Sequence, residues 1–205
     1  MTRLCIICEG KTESEFARDC MYEYLRAKNV FVDPKPINKT VNIDRVVKHI
    51  RNLYPSYDYI ATLVDYYGFS DRQGRSRIQL ETDILVRSKN AISGFDSKRV
   101  IPYIQMHEFE ALLFSDIEKF QLLHERWNNK TREKLLAIRS EFHTPEDIND
   151  DPNTAPSKRL ANVFPGYSKA EYGPLIAKDI GLTRIREECP LFNGWLARLE
   201  NLGQS

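Results

Sequence analysis

Four cysteines in 205 residues are too few, and too irregularly spaced, to read as a disulfide framework. Cys5, Cys8, Cys20 and Cys189 fit a reducing compartment. Also absent is any apolar run approaching the roughly 20 residues that cross a bilayer. The stretch from Leu4 to Cys8 ends at once on Glu9, and no small-residue cleavage site follows, so the chain is expected to stay in the cytoplasm where it is made. Charge of one sign is missing as well. Lys and Arg number 30 against 29 Asp and Glu, which excludes a global pull towards nucleic acid or an acidic membrane and makes any phosphate contact a local matter. There is no internal repeat, no low-complexity tract and no G-x-S-x-G elbow, and no cysteine is placed like a nucleophile. A serine or cysteine hydrolase is therefore disfavoured. Cys5 and Cys8 do form a C-x-x-C, but positions three apart on a strand face opposite sides, and no second pair completes four ligands. They read as small buried hydrophobes.

What is present is an ordinary globular composition, 41% hydrophobic and 29% charged, in a chain long enough to bury a core unaided. Residues 3–8 (RLCIIC) read as a fully buried strand. Thr12 followed by Glu15 is a capping box that predicts a helix from Thr12, with Phe16, Cys20, Tyr24 and Ala27 on its apolar face. A stretch with proline and asparagine (33–42) interrupts. Helical periodicity returns over 43–54, a second buried strand over 58–64 ends on Asp65, and a polar helix follows over 78–92. A third strand, 99–105 (RVIPYIQ), runs into HEFEALLF. This alternation predicts an α/β protein with a parallel, doubly wound sheet and right-handed crossovers. From about residue 116 helical patterns dominate, at 116–126, 130–142, 156–163, 169–180 and 190–201, broken by a loop over 144–156. The expected organisation is an α/β core over 1–115 and a helical appendage over 116–205 packed on it. In that appendage Trp195, Leu191, Phe192, Leu196 and Leu199 form an apolar helix face that closes the core.

Ligands of a parallel sheet bind beyond the carboxyl ends of its strands. Glu9 follows the first strand, Asp65 ends the second, and Glu108 and Glu110 follow the third. A carboxylate cluster at one edge is costly unless a cation neutralises it, and an oxygen-only donor set suits Mg²⁺ or Mn²⁺ better than zinc. Such cations serve phosphoryl chemistry, often as a pair about 4 Å apart. The alternative is solvation of loop ends by acids. If 107–110 is extended, Glu108 and Glu110 share a face; if a helix has begun, only one points at the site, and Glu108 is then preferred. His107 either binds metal or orients a carboxylate. Glu13, four residues after Glu9, either joins the cation or serves the helix N-terminus.

CEGKTE, LVDYYGF, PYIQMHEFEALLF, PSKRL and PGYSK together resemble the DUF4276 family, with HEFEALLF the most specific element. That family is similar to Toprim domains, the catalytic domains of topoisomerases, primases and the overcoming-lysogenization-defect nucleases. The resemblance implies a Toprim-like sheet flanked by helices and metal-dependent phosphodiester cleavage. Glu9 would act as ligand or general base, Glu13 as a second acid and Asp65 as a ligand. An ATPase partner in a defence or repair system is implied too. One departure stands out: where Asp-x-Asp is usual, Tyr67 takes the place of the second aspartate. Asp71, Glu108 or Glu110 would have to supply the missing carboxylate.

For phosphate, Ser157, Lys158 and Arg159 lie at an expected helix start after Pro156. Lys169 and the loop arginines Arg72, Arg75 and Arg77 are further candidates, against a plain reading as solvated charge. Tyr66, Tyr67 and Phe69 either stack on bases or close the loop over the sheet edge. Three functions remain open: a Toprim-like nuclease, a non-catalytic Toprim-derived partner or regulatory module, and a phosphohydrolase of small nucleotides.

Overall fold

A computed structural model of the protein describes residues 1–148 and 154–204, Glu125 without its side chain. Of the loop expected over 144–156, residues 149–153 lie outside the described residues, as does Ser205.

Strand β1 (Thr2–Cys8) alternates its side chains between two cores. Leu4, Ile6 and Cys8 enter one core and Cys5 and Ile7 the other, so the two cysteines of C-x-x-C do face opposite sides of the sheet. Helix α1 (Lys11–Phe16) passes through a π-helical turn at Ala17–Met21 into α2 (Tyr22–Arg26). The expected start at Thr12 is corrected. Gly10 is the N-cap, and the Glu13 carboxylate accepts its N–H at 3.0 Å, so Glu13 closes the cap in place of Glu15.

Next comes a strand that the sequence pattern hid, β2 (Val30–Pro36), paired parallel to β1 along its whole length. Pro34 and Pro36 read as breakers, yet β2 is the edge of the sheet, where a missing N–H costs no ladder bond. Helix α3 (Ile43–Leu53), strand β3 (Tyr59–Asp65) and helix α4 (Arg77–Ala91) follow within a residue or two of expectation. The third expected strand is two short ones, β4 (Val100–Ile101) and β5 (Ile104–Gln105), both parallel to β3. Pro102 separates them. Across the gap the Thr62 hydroxyl donates to the Tyr103 carbonyl at 2.8 Å and accepts its N–H at 2.9 Å, replacing ladder bonds with a side chain. Sheet order is β2-β1-β3-β4, with β5 also on β3.

HEFEALLF leads into a buried 3-10 segment at Phe109–Ser115, and 116–126 is a second 3-10 segment (Ile117–Arg126), not an α-helix, with His124 in a left-handed conformation (φ 45°). Then come α5 (Asn129–Ser140), α6 (Pro156–Val163), α7 (Lys169–Ile180), α8 (Leu182–Glu188), which the sequence reading passed over, and α9 (Pro190–Glu200).

Helices α3 and α4 cover the sheet face bearing Cys5, Ile7, Ile60 and Val64. The other face, with Leu4, Ile6, Ala61 and Leu63, shares one core with α1, Phe109, Leu112 and the C-terminal helices through Ile176, Phe192 and Trp195. Trp195 stacks on Tyr103 at 4.8 Å between centroids. The C-terminal helices are thus built into the hydrophobic interior, and α7 lies against α1. No helix among the described residues is long and apolar enough to cross a membrane.

Thr62→Val keeps shape and removes both bonds at the Pro102 break, leaving a buried N–H and C=O unpaired. It should cost about 1–3 kcal/mol, read as a lower urea midpoint at unchanged slope; an unchanged midpoint would mean that the hydroxyl does not bridge the gap.

Candidate metal centre

Strand order reverses at the middle of the sheet: β2 lies beyond β1 on one side, β4 and β5 beyond β3 on the other. Connections leave that point in opposite directions and open a crevice past the strand ends. Glu9 and Asp65 stand at its two lips. The Glu9 N–H donates to the Leu63 carbonyl at 3.1 Å, and Glu9 Oε2 accepts the Asp65 N–H at 3.1 Å. Gly68 permits this, since a Cβ there would lie 2.2 Å from Glu9 Oε2.

Three carboxylates meet one ammonium. Lys169, the first residue of α7, donates from Nζ to Asp65 Oδ2 at 2.8 Å, and its Nζ lies 3.1 Å from Glu13 Oε1 and 3.3 Å from Glu110 Oε2. Glu13, Asp65 and Glu110 are all buried, while Lys169 keeps 31% of its side chain exposed. The sequence reading grouped Lys169 with phosphate contacts; its ammonium sits instead among the acids.

Glu108 and Glu110 diverge because helical structure begins at Phe109. Glu110 turns inward to the ammonium. Glu108, still extended, turns to α6, where its Oε2 accepts the Ser157 N–H at 2.9 Å. It remains near enough to Glu9 and Glu110 to disfavour ionisation of both. His107 is buried with a left-handed backbone (φ 60°), and its carbonyl accepts the Tyr67 N–H at 3.1 Å. Asp71 faces elsewhere: it accepts the Ile43 N–H at 3.3 Å and pairs with Arg75 at 3.7 Å.

Burial is the largest influence on these acids. It pushes Glu9 and Asp65 upward, Asp65 well above the usual range, and Glu110 up to about 7, while Lys169 pulls each back and neighbouring acids push further. Burial also works against the Lys169 charge, but Asp65, Glu110 and Glu13 outweigh it and hold the ammonium protonated well past the ordinary lysine range.

Of the five acids gathered here three share one ammonium, and not all their lone pairs are used. Asp65 Oδ1 and Glu110 Oε1 are buried and accept no hydrogen bond among the described residues. That surplus of hard oxygen donors fits Mg²⁺ or Mn²⁺. With the ammonium seated among them, no group of three or more acids, histidines or cysteines in the described residues is set to hold a metal ion as it stands. Glu9, Asp65 and Glu110, with Glu13 and Glu108 beside them, are the residues that would hold one once the Lys169 side chain withdraws. The cysteines do not compete, since burial pushes the Cys5 and Cys20 thiols up to about 12.

Of the expected phosphate contacts, Lys158 is exposed. Arg159 is turned away, donating to the Thr154 carbonyl at 2.9 Å and lying 3.4 Å from Glu141. The sequence reading missed Gly68, the Lys169 counter-ion, and Tyr167, whose buried hydroxyl faces the Glu110 and Lys169 charges. The glycine after DYY was a readable signal; nothing local marked the lysine.

Residues 8–200 match the model of a family described as a domain of unknown function, DUF4276. No curated protein matches the chain. Solved structures similar to it include two C-terminal regions of OLD proteins. The C-terminal region of the Burkholderia pseudomallei OLD protein is 16% identical at a TM-score of 0.55, with 100% of this chain and 98% of that chain covered. The C-terminal region of the Xanthomonas campestris pv. campestris OLD protein is 14% identical at 0.52, with 100% and 97% covered. The likeness is one of fold: a parallel α/β sheet flanked by helices, Toprim-like.

Lys169→Met leaves the three carboxylates without their counter-ion and should cost about 3–5 kcal/mol in EDTA, with Mn²⁺ restoring more stability to the variant than it adds to wild type. Equal thermal midpoints in EDTA would mean that the ion pairs carry no weight. Glu110 holds its proton to about 7 in the fold against an ordinary 4.5, so its contribution to stability is full below 4.5 and declines as pH rises through 7. The decline amounts to about 3 kcal/mol at most, and Glu110→Gln should flatten it in urea midpoints taken across that range.

Proposed function

Because this chain belongs to the DUF4276 family and has the Toprim-like fold of OLD C-terminal regions, we propose that it is a metal-dependent nuclease domain that cleaves phosphodiester bonds in nucleic acid. The observation that carries the reading is the gathering of five acids at the point where the strand order reverses, with buried oxygens left over. Residues 1–115 form the Toprim-like core in this proposal, and residues 116–205 the helical part that supplies Lys169. Glu9, Asp65 and Glu108 carry the chemistry, and Glu13 and Glu110 complete the donor set. A bound Mg²⁺ or Mn²⁺ would neutralise charge on the scissile phosphate.

The chain's own residues do the rest. Glu9, fixed between the Asp65 N–H and Gly68, is the base closest to the crevice mouth, because it is less buried than Asp65 or Glu110. Glu108 ties the start of α6 to the site, which leaves the exposed Lys158 as the α6 contact for a strand's phosphates, with Arg159 joining only if it leaves Thr154 and Glu141. Lys169, released from the acids, is left to pair with a phosphate oxygen. An ATPase partner in a defence or repair system belongs to the same proposal, by the family resemblance.

A non-catalytic Toprim-derived module is the second reading. Tyr67 in place of a second aspartate favours it, as does the ammonium held where a cation would sit.

Mn²⁺ titration calorimetry on wild type, Glu9→Gln and Asp65→Asn, with plasmid and single-strand cleavage alongside, separates the two. The nuclease reading expects Mn²⁺ binding and cutting by wild type, and a loss of cutting of at least ~100-fold in both variants. Binding without cutting supports the module. No Mn²⁺ binding by wild type would sink the nuclease reading and the metal site, leaving a module whose acids Lys169 neutralises.

A further inference from the structure

Beside the acids lies a cavity of about 540 Å³, walled by Tyr66, Tyr67, Arg72, Arg77, Met106 and His107. Its walls and the acids come from the same two strand ends: Tyr66 follows Asp65 directly, and His107 precedes Glu108. The Tyr67 N–H to His107 carbonyl bond ties the two walls together. Their rings lie 5.2 Å apart at 48°, and the Tyr66 hydroxyl donates to the Arg75 carbonyl at 2.7 Å, which holds that ring in place.

The cation in this cavity is not neutralised. Arg75 pairs with Asp83 at 2.6 Å and Asp71 at 3.7 Å, and Arg77 pairs with Glu81 at 2.6 Å. Arg72 makes no ion pair among the described residues. Its guanidinium lies 4.8 Å from the Tyr66 ring centroid and 5.0 Å from that of Tyr67, half-buried in the cavity wall. Flat aromatic faces and an uncompensated guanidinium in one concavity select a ligand that joins a flat ring to a negative charge. A nucleotide has both. The volume lies within the roughly 300–1,000 Å³ of ordinary small-molecule sites, enough for one nucleotide and too small for a stacked base pair with its backbones.

We infer that this cavity receives one unstacked nucleotide of a single strand, its base against Tyr66 and Tyr67 and its phosphate on Arg72. The inference rests on the nuclease reading for why the cavity adjoins the acids, and it narrows the substrate to single-stranded or locally opened nucleic acid. A duplex would have to flip a base to fill the cavity, which costs unpairing and unstacking.

The test is fluorescence anisotropy of the full chain in EDTA with a labelled oligothymidylate and with a duplex of the same length. Without metal, binding is read apart from cutting. Wild type should bind the single strand at least ~10-fold more tightly than the duplex. Tyr67→Ala should lose between roughly 5-fold and 100-fold, and Tyr67→Phe should keep wild-type affinity because the ring does the stacking. Arg72→Ala should weaken binding and lower the salt slope by about one. Because binding is read in EDTA, a strand that is bound but never cut on adding Mn²⁺ separates a failure of the cleavage reading from a failure of the cavity. Equal affinity for strand and duplex would overturn the inference. So would Tyr67→Ala and Arg72→Ala proteins that unfold cooperatively and bind like wild type.

Discussion

An ammonium among carboxylates is the contact on which the rest of this molecule turns. Glu13 arrives from α1, Asp65 from the end of β3 and Glu110 from the segment after β5; all three are buried, and burial disfavours ionisation of Asp65 and Glu110. Packing the strand ends so closely without a cation would leave like charges facing one another in a medium of low polarity. Lys169 removes that conflict from the far side of the chain, 104 positions after Asp65. Since Lys169 opens α7, the same contact that settles the charge also fixes where α7 meets α1.

That coupling gives the C-terminal helices a chemical as well as a mechanical part. Their apolar faces complete the core under β1 and β3 through Ile176, Phe192 and Trp195. Their polar contribution reaches the crevice, where the Ser157 N–H holds Glu108 and the Lys169 ammonium holds Glu13, Asp65 and Glu110. A metal ion entering the crevice would compete with Lys169 for the same oxygens. Occupancy and the seating of α7 are then linked quantities, and whatever displaces the lysine loosens one of the tethers between the sheet and its helices.

The sheet and its acidic edge were legible in the sequence where local rules suffice. RLCIIC and DYIATLV are apolar runs of strand length, and the acids that end them mark the strand ends directly. The parts that escaped depend on partners far away in the chain. Pro34 and Pro36 argue against a strand unless β2 is known to be an edge, and edge position is a property of the whole sheet. Pro102 splits the third strand, and the Thr62 hydroxyl, 41 residues earlier, bridges the gap between its halves. For Glu108 and Glu110 the sequence favours Glu108, whereas once helical structure begins at Phe109 it is Glu110 that turns inward to the ammonium. Which one depends on where Lys169 and Ser157 lie, and neither is near in sequence.

Tyr67 brings these strands of argument together. A second aspartate at that position would add another acid beside a cluster in which one ammonium already serves three buried carboxylates, and would deepen the repulsion the fold has to absorb. A tyrosine removes that charge and sets a ring beside His107 and under the Arg72 guanidinium instead. The same ring is a wall of the neighbouring cavity. Arg72 has no carboxylate partner among the described residues, while Arg75 and Arg77 have theirs. The strand end after β3 therefore divides its work. Asp65 faces the buried charges, Gly68 clears room for Glu9, and Tyr66 and Tyr67 between them turn an aromatic surface outward, one residue from the acids.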